Sequence, residues 1–291
     1  MINILVTGAN GQLGSELKRI YNNKSRTFEK PVNIEFTDIE TLDLSNTIFL
    51  KKFLDDHSFD YIINCAAYTN VDLAETEKEK AFEINANCVK SIADSIKGKN
   101  TKLIHISTDY VFDGESFIPY TEDMPSNPQS VYGNTKLEGE KYALEHTDSL
   151  VIRTSWLYSS YGKNFAKTIY KLCKEREELN VVFDQIGTPT YAADLANAIL
   201  QIVNQSIKEN RFITGVYHYS NEGVCSWFDF AQAIADKAYS KCKINPIISE
   251  EYPTPTKRPF YSVLNKSKIK SVYQISIPHW QKSLNDFFES M

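Results

Sequence analysis

A doubly wound parallel α/β sheet with a smaller C-terminal lobe is the fold this sequence predicts. Three observations carry the prediction. The chain opens on an apolar run that breaks at a glycine turn and re-forms as a helix. Strand and helix patterns then alternate to about residue 155, as a parallel sheet with crossover helices requires. From Trp156 onward the alternation becomes irregular and aromatic.

Ile2 to Val6 forms the first predicted strand, and Thr7-Gly8-Ala9-Asn10-Gly11-Gln12-Leu13-Gly14 the turn that opens a helix running through Leu17 and Ile20. Glycines at these positions serve a tight turn, close backbone approach to a pyrophosphate, and close packing of helix on strand. The open amides and positive end of the helix suit an anion, so a dinucleotide is expected there. The spacing is G-x-x-G-x-x-G rather than G-x-G-x-x-G. Its weight comes from its place at the N-terminus, where the first strand of a Rossmann unit begins.

Asn22 to Pro31 reads as a polar connection, and Val32 to Phe36 as a second strand ending near Thr37-Asp38. Asp38 stands where an acid accepts hydrogen bonds from the adenosine ribose and repels a 2'-phosphate. Ile39, Glu40 and Thr41 offer no guanidinium, Asp43 adds a negative charge, and Lys18 and Arg19 are the basic residues nearby. NADH use alongside NADPH is therefore expected. Ser45 is the predicted N-cap of a helix through Ile48, Leu50, Phe53 and Leu54.

Tyr61 to Ala67 is a third strand ending in small residues that leave room for a ligand ring. Ala81, Ile84, Cys88, Val89, Ile92, Ala93 and Ile96 predict one long helix ending before Gly98. Lys102 to Ser107 and Leu150 to Ile152 are the fourth and fifth strands, with a helix from Val131 to His146 between them.

Helices are expected over 162–176, 193–203 and 226–238, and strands over 180–183 and 215–219. Pro246, Pro253, Pro255 and Pro259 mark a loop-rich stretch before a last short helix from about Pro278. The expected division is a dinucleotide-binding unit over 1–155, completed by parts of 180–220, with 156–291 mainly a substrate-binding lobe.

At 291 residues, with 42% hydrophobic and 24% charged, the chain is long enough for a large core and ordinary for a globular enzyme. A net charge of -5 leaves no electrostatic footprint for nucleic acid or an anionic membrane. Cys65, Cys88, Cys173, Cys225 and Cys242 form no C-x-x-C pair, and His57, His105, His146, His218 and His279 show no ligand spacing, so neither disulfides nor a metal site is expected. Without a leader pattern or a long apolar run, the expected place is the cytoplasm.

The chemistry concentrates in two stretches. Tyr132 and Lys136 are four apart on a predicted helix and share a face. An adjacent ammonium favours phenolate, and such a tyrosine gives a proton to a carbonyl oxygen as hydride arrives. By itself Tyr-x-x-x-Lys marks many surface pairs. Ser107-Thr108-Asp109, at the end of the fourth strand, adds a hydroxyl for the same substrate oxygen, although a Ser-Thr-Asp cluster also suits a local turn.

With those residues in place the chain resembles the extended short-chain dehydrogenase/reductases, and among them the branch that acts on a dTDP-4-dehydro sugar. The matching stretches are TGANGQLG (7–14), NCAAYTNVDLAE (64–75), HISTDYVFDG (105–114), VYGNTKLEGE (131–140), RTSWLY (153–158), VVFDQIGTPT (181–190) and RPFYSVL (258–264), which span nearly the whole chain. The resemblance implies reduction of the C4 ketone of dTDP-4-dehydro-L-rhamnose to dTDP-L-rhamnose, with Thr108, Tyr132 and Lys136 catalytic. Tyr132 would protonate the ketone oxygen, Thr108 polarise it, and Lys136 lower the tyrosine's pKa and hold the nicotinamide ribose.

It further implies Gly11, Gln12 and Leu13 on the pyrophosphate, Asp43 and Leu44 beside the adenine, and Ala66, Ala67 and Tyr68 on the nicotinamide side. Trp156 would pack on the sugar, Arg258 meet its diphosphate, and Asp109 support Thr108. Some members hold a divalent metal between two subunits through glutamates. Glu16 matches one such position, but Asp194 stands where another glutamate is expected, which argues against that metal; a homodimer stays open. The same fold and Tyr-Lys pair also serve nucleotide-sugar epimerases and dehydratases, and the chain is similar to the non-catalytic regulatory subunit of methionine adenosyltransferase.

Overall fold

The computed structural model describes residues 1–23, 28–146 and 148–291, without the side chain of His146. The expected connection over 22–31 therefore lies partly outside the described residues. The first half contains β1 (Ile2–Thr7), α1 (Gln12–Asn22), β2 (Val32–Phe36), α2 (Thr47–Asp56), β3 (Tyr61–Asn64), α3 (Val71–Ala74), α4 (Lys78–Phe82), α5 (Cys88–Ile96), β4 (Lys102–Thr108), α6 (Val131–His146) and β5 (Ser149–Thr154). The second half adds β6 (Leu157–Tyr158), α7 (Phe165–Glu175), β7 (Glu178–Val182), β8 (Ile186–Gly187), β9 (Thr190–Tyr191) and α8 (Ala192–Glu209). It ends with β10 (Gly215–His218), β11 (Cys225–Ser226), α9 (Trp227–Lys237), β12 (Lys243–Ile247), α10 (Ser267–Tyr273) and α11 (Trp280–Glu289).

The central sheet has the order β2-β1-β3-β4-β5-β10, with every neighbouring pair parallel. It is a doubly wound, Rossmann-type sheet. The order reverses between β1 and β3, and ligands of such sheets lie beyond the strand carboxyl ends at that point. Alternation within the strands explains the two helical layers. Ile4 and Val6 of β1 pack with Leu17 of α1 and Ile199 of α8, while Leu5 turns to the other face with Leu50 of α2 and Val89 of α5. Both faces are covered, so the strand reads as one apolar run.

A separate core gathers Ile169 of α7, Phe230 and Ile234 of α9, and Leu284 and Phe287 of α11. The chain crosses between the cores several times: β10 and α10 return to the sheet after α8, whereas α9, β12 and α11 belong to the second core.

Local chemistry moved several boundaries. Asn46, not Ser45, caps α2, its side chain accepting from Phe49 N at 3.1 Å, while Ser45 donates to Asp43. The long helix expected from Ala81 to Ile96 is broken by a π turn over Glu83–Asn87. That turn directs buried Asn85 inward, where it bonds the Tyr68 backbone N–H at 2.8 Å and the Thr135 hydroxyl at 3.1 Å. Inserted π turns are a known device for aiming a side chain. The proline-marked stretch holds β12, paired with β7, and α10; Pro246 fits because a two-stranded sheet is all edge.

Candidate active site

The glycine turn is shaped by contact as much as by conformation. Gly8 has φ +65°, and a Cβ there would lie 2.6 Å from Ala66 N; a Cβ on Gly14 would lie 2.4 Å from the Gly8 carbonyl. Neither position admits a side chain. Gly11 begins α1 without any side-chain cap, so the first amides of the helix face a cavity of about 540 Å³. Gly11, Gln12 and Leu13 line one part of it, and Thr108, Asp109, Tyr132, Lys136 and Trp156 are among the residues that line the rest.

A second cavity of about 580 Å³ shares Gly11, Cys65 and Ala67 with the first and is bordered by Gly8, Asn10, Asp38, Asp43, Leu44 and Ala66. Asp38 accepts from Asn10 N at 2.7 Å and from Ile39 N at 2.8 Å, so it also braces the glycine turn. Lys80 lines this cavity, a cation the sequence did not reveal, whereas Arg19 is turned to Glu16 at 2.8 Å. Tyr68 departs from expectation. Its ring lies outside both cavities, its hydroxyl donating to Glu77 with Lys80 over its face, and only its backbone is held near the site by Asn85.

The α6 wall brings Thr108, Tyr132 and Lys136 together. The Thr108 hydroxyl donates to Asp109 Oδ1 at 2.9 Å and lines the same cavity as Tyr132. Burial pushes that phenol above its ordinary range; Thr108 pulls it back in part, and Asp109 and Tyr110 add to the rise. Lys136 donates to the Ile106 carbonyl at 2.7 Å and is not among the groups that shift the phenol, so the expected pull toward phenolate is not seen. Burial brings the Lys136 ammonium down to about 8, opposed by Glu140 and Cys65. It also pushes the Asp109 carboxyl up to about 7, where Oδ2 has no partner.

The opposite wall is aromatic. Trp156 has φ 48° and stacks on Trp227 with centroids 3.5 Å apart and planes within 9°. A Cβ on Gly187 would come within 2.6 Å of the Trp156 ring, so the indole is wedged in place. Trp227 was not foreseen, since it lies far along the chain at the start of α9. Asn164 donates to Gln12 Oε1 at 2.9 Å and ties this side to the glycine turn. Arg258 does not line the main cavity. It lies beside it, donating to Asp72 at 2.6 Å and to the Tyr110 hydroxyl at 3.3 Å.

Glu16 is fully buried and accepts from Ser159 at 2.7 Å, and Asp194 accepts from Asn221 at 2.7 Å and Ser283 at 2.5 Å, so both carboxylates are engaged inside the chain. All five cysteines are free thiols. Among the described residues no helix is long and apolar enough to cross a membrane.

A parallel sheet whose first glycine turn faces a threonine and a Tyr-x-x-x-Lys helix defines an extended short-chain dehydrogenase/reductase. The family described as RmlD substrate binding domain matches residues 2–291, and the chain belongs to it. It is 38% identical to a dTDP-4-dehydrorhamnose reductase of Aggregatibacter actinomycetemcomitans, covering 98% of each chain. It is also 38% identical to the spore coat polysaccharide biosynthesis protein SpsK of Bacillus subtilis, covering 99% of this chain and 98% of that one. The crystal structure of a dTDP-4-dehydrorhamnose reductase from Bacillus anthracis in complex with NADP superposes with a TM-score of 0.92 at 38% identity, each chain covered in full.

Proposed function

We propose that the protein reduces the C4 ketone of dTDP-4-dehydro-L-rhamnose to dTDP-L-rhamnose with NADPH or NADH. The observation that carries this reading is the meeting of Thr108, Tyr132 and Lys136 on one wall of a cavity whose other wall is the glycine turn, in a chain 38% identical throughout to a reductase of that name. The residues suit the cofactor. Gly8 and Gly14 leave no room for side chains, and the uncapped amides of α1 suit a pyrophosphate. A nicotinamide dinucleotide, when bound, supplies the hydride.

Tyr132 gives the proton to the ketone oxygen, and its burial keeps the phenol protonated near neutral pH, the state a donor needs. Asp109 holds the Thr108 hydroxyl, which turns from that carboxyl to donate to the same oxygen, and Lys136 holds the nicotinamide ribose. Asp38 faces the adenosine ribose, Asp43 and Leu44 the adenine, and Ala66 and Ala67 the nicotinamide side. The Trp156–Trp227 stack forms the sugar wall. Arg258 meets the substrate diphosphate once Asp72 shares or releases it.

In this reading residues 1–155, with β10 and α8, bind the dinucleotide, and 156–291 mainly provide the sugar-binding lobe. The reaction takes place in the cytoplasm, and a homodimer, testable by sedimentation, is compatible with it. The function is tested by following nicotinamide absorbance when dTDP-4-dehydro-L-rhamnose is added. One dinucleotide oxidised per sugar is expected. Sugar conversion without net oxidation would indicate an epimerase or dehydratase, and tight dinucleotide binding without turnover a regulatory subunit.

A further inference from the structure

Three consecutive residues at the end of β4 meet three successive turns of α6. Tyr132, Lys136 and Glu140 recur every four residues and so share a face. Thr108 lines the cavity with Tyr132, the Ile106 carbonyl accepts from Lys136 at 2.7 Å, and Ser107 donates to Glu140 Oε1 at 2.5 Å. Arg153, the register partner of Ser107 on β5, grips Glu140 through Nε at 2.9 Å and Nη2 at 2.7 Å. Glu140 and Lys136 are 2% exposed and Arg153 is 4% exposed. Buried ion pairs stabilise no better than well-packed apolar residues of similar volume, so this one calls for a functional reason.

We propose that Glu140 is a positioning residue: clamped by Arg153 and Ser107, it fixes the register of α6 that sets Tyr132 opposite Thr108, and it supplies the negative charge facing the Lys136 ammonium. The other groups around Lys136 are Cys65 beyond β3 and His105 of β4, whose burial keeps it neutral; Arg153 stands behind Glu140. Glu140 is thus the carboxylate that keeps this lysine charged against its burial. Removing it leaves the Arg153 charge alone, which disfavours the ammonium. Removing Arg153 has the opposite sign.

The inference rests on the reading that Lys136 binds the nicotinamide ribose as a cation. NADPH affinity is therefore titrated by fluorescence against pH in the whole protein and in Lys136→Met, Glu140→Gln, Arg153→Met and Glu140→Asp. Native affinity is expected to fall with a midpoint near about 8. Glu140→Gln moves that midpoint down by about one pH unit or more, and Arg153→Met moves it up. Glu140→Asp leaves it in place but lowers turnover by shortening the clamp.

Midpoints that stay fixed, or move the same way in both charge variants, overturn the proposal. Should Glu140→Gln not fold, the absence of an upward shift in Arg153→Met does so alone. Unweakened NADPH binding in Lys136→Met instead overturns the reading of the site on which the inference rests.

Discussion

On the α6 side of the cavity, Tyr132, Lys136 and Glu140 hang from one helix against the last three residues of β4, whereas the groups read as sugar-handling, Trp156 with Trp227 stacked on it and Arg258 beside the cavity, come from three separate segments. The first set is fixed by regular hydrogen-bonded elements, with Lys136 and Glu140 buried. The second is held by ring stacking and by one ion pair to Asp72 that a substrate anion can replace. Proton-handling groups need fixed geometry, because misplacement costs rate directly. Sugar-handling groups need affinity, which a stacked indole and a guanidinium supply from less regular segments.

If this contrast holds, removing groups from the α6 wall costs turnover, and removing the sugar-handling groups costs binding. The largest expected effect is in Tyr132→Phe and Lys136→Met, which cut turnover by roughly 10²- to 10⁴-fold while circular dichroism stays native. The lysine variant also weakens dinucleotide binding. Near-native turnover in Tyr132→Phe would break the contrast at its strongest point.

Asp109 sharpens the cost side of the same wall. Its carboxyl rises from 3.8 to about 7 on folding, so between those values the folded protein keeps a proton that the unfolded chain has released. Stability contributed by this group therefore falls as pH rises from about 4 to about 7 and stays lower above that. Asp109→Asn should raise stability at pH 8 by up to about 4 kcal/mol and change it little near pH 4. Denaturant melts at the two pH values check this, and an equal difference at both would remove the burial argument.

Beside the cavity, Arg258→Ala should raise the Michaelis constant for the sugar nucleotide by about 10- to 100-fold with little loss of turnover, the value of charge-assisted hydrogen bonds made equally in ground and transition states. Steady-state kinetics decide it, and an unchanged Michaelis constant would leave Arg258 paired with Asp72 for structure alone. The smallest effect is expected at Asp38. Asp38→Ala should move preference toward NADPH by less than about tenfold, because loss of the acid also frees Asn10 N and loosens the turn for both cofactors. A native preference for NADPH of about a thousandfold, about 4 kcal/mol, would place Asp38 away from the ribose.

How much of this was legible in the sequence follows the same division. The sheet could be read because β1, β3, β4 and β5 carry apolar runs covered on both faces, and the glycine turn because it follows the first of them. Tyr132 and Lys136 could be read because helical spacing places them together without knowledge of any other element. Trp227, Asn85 and the Asp72 partner of Arg258 could not. Asp72 and Arg258 are 186 residues apart, and Asn85 reaches the site only because a π turn shifts the helical phase that a regular pattern assumes. β12 was hidden by Pro246, which is a breaker in a central strand and harmless at an edge.

The most direct test of the reductase reading follows the hydride itself. With NADPH carrying deuterium at the transferable C4 position of the nicotinamide and dTDP-4-dehydro-L-rhamnose as substrate, mass spectrometry should find one deuterium on the sugar C4 for each dinucleotide oxidised. A converted sugar without the label, or label retained on a dinucleotide that is never consumed, would contradict it.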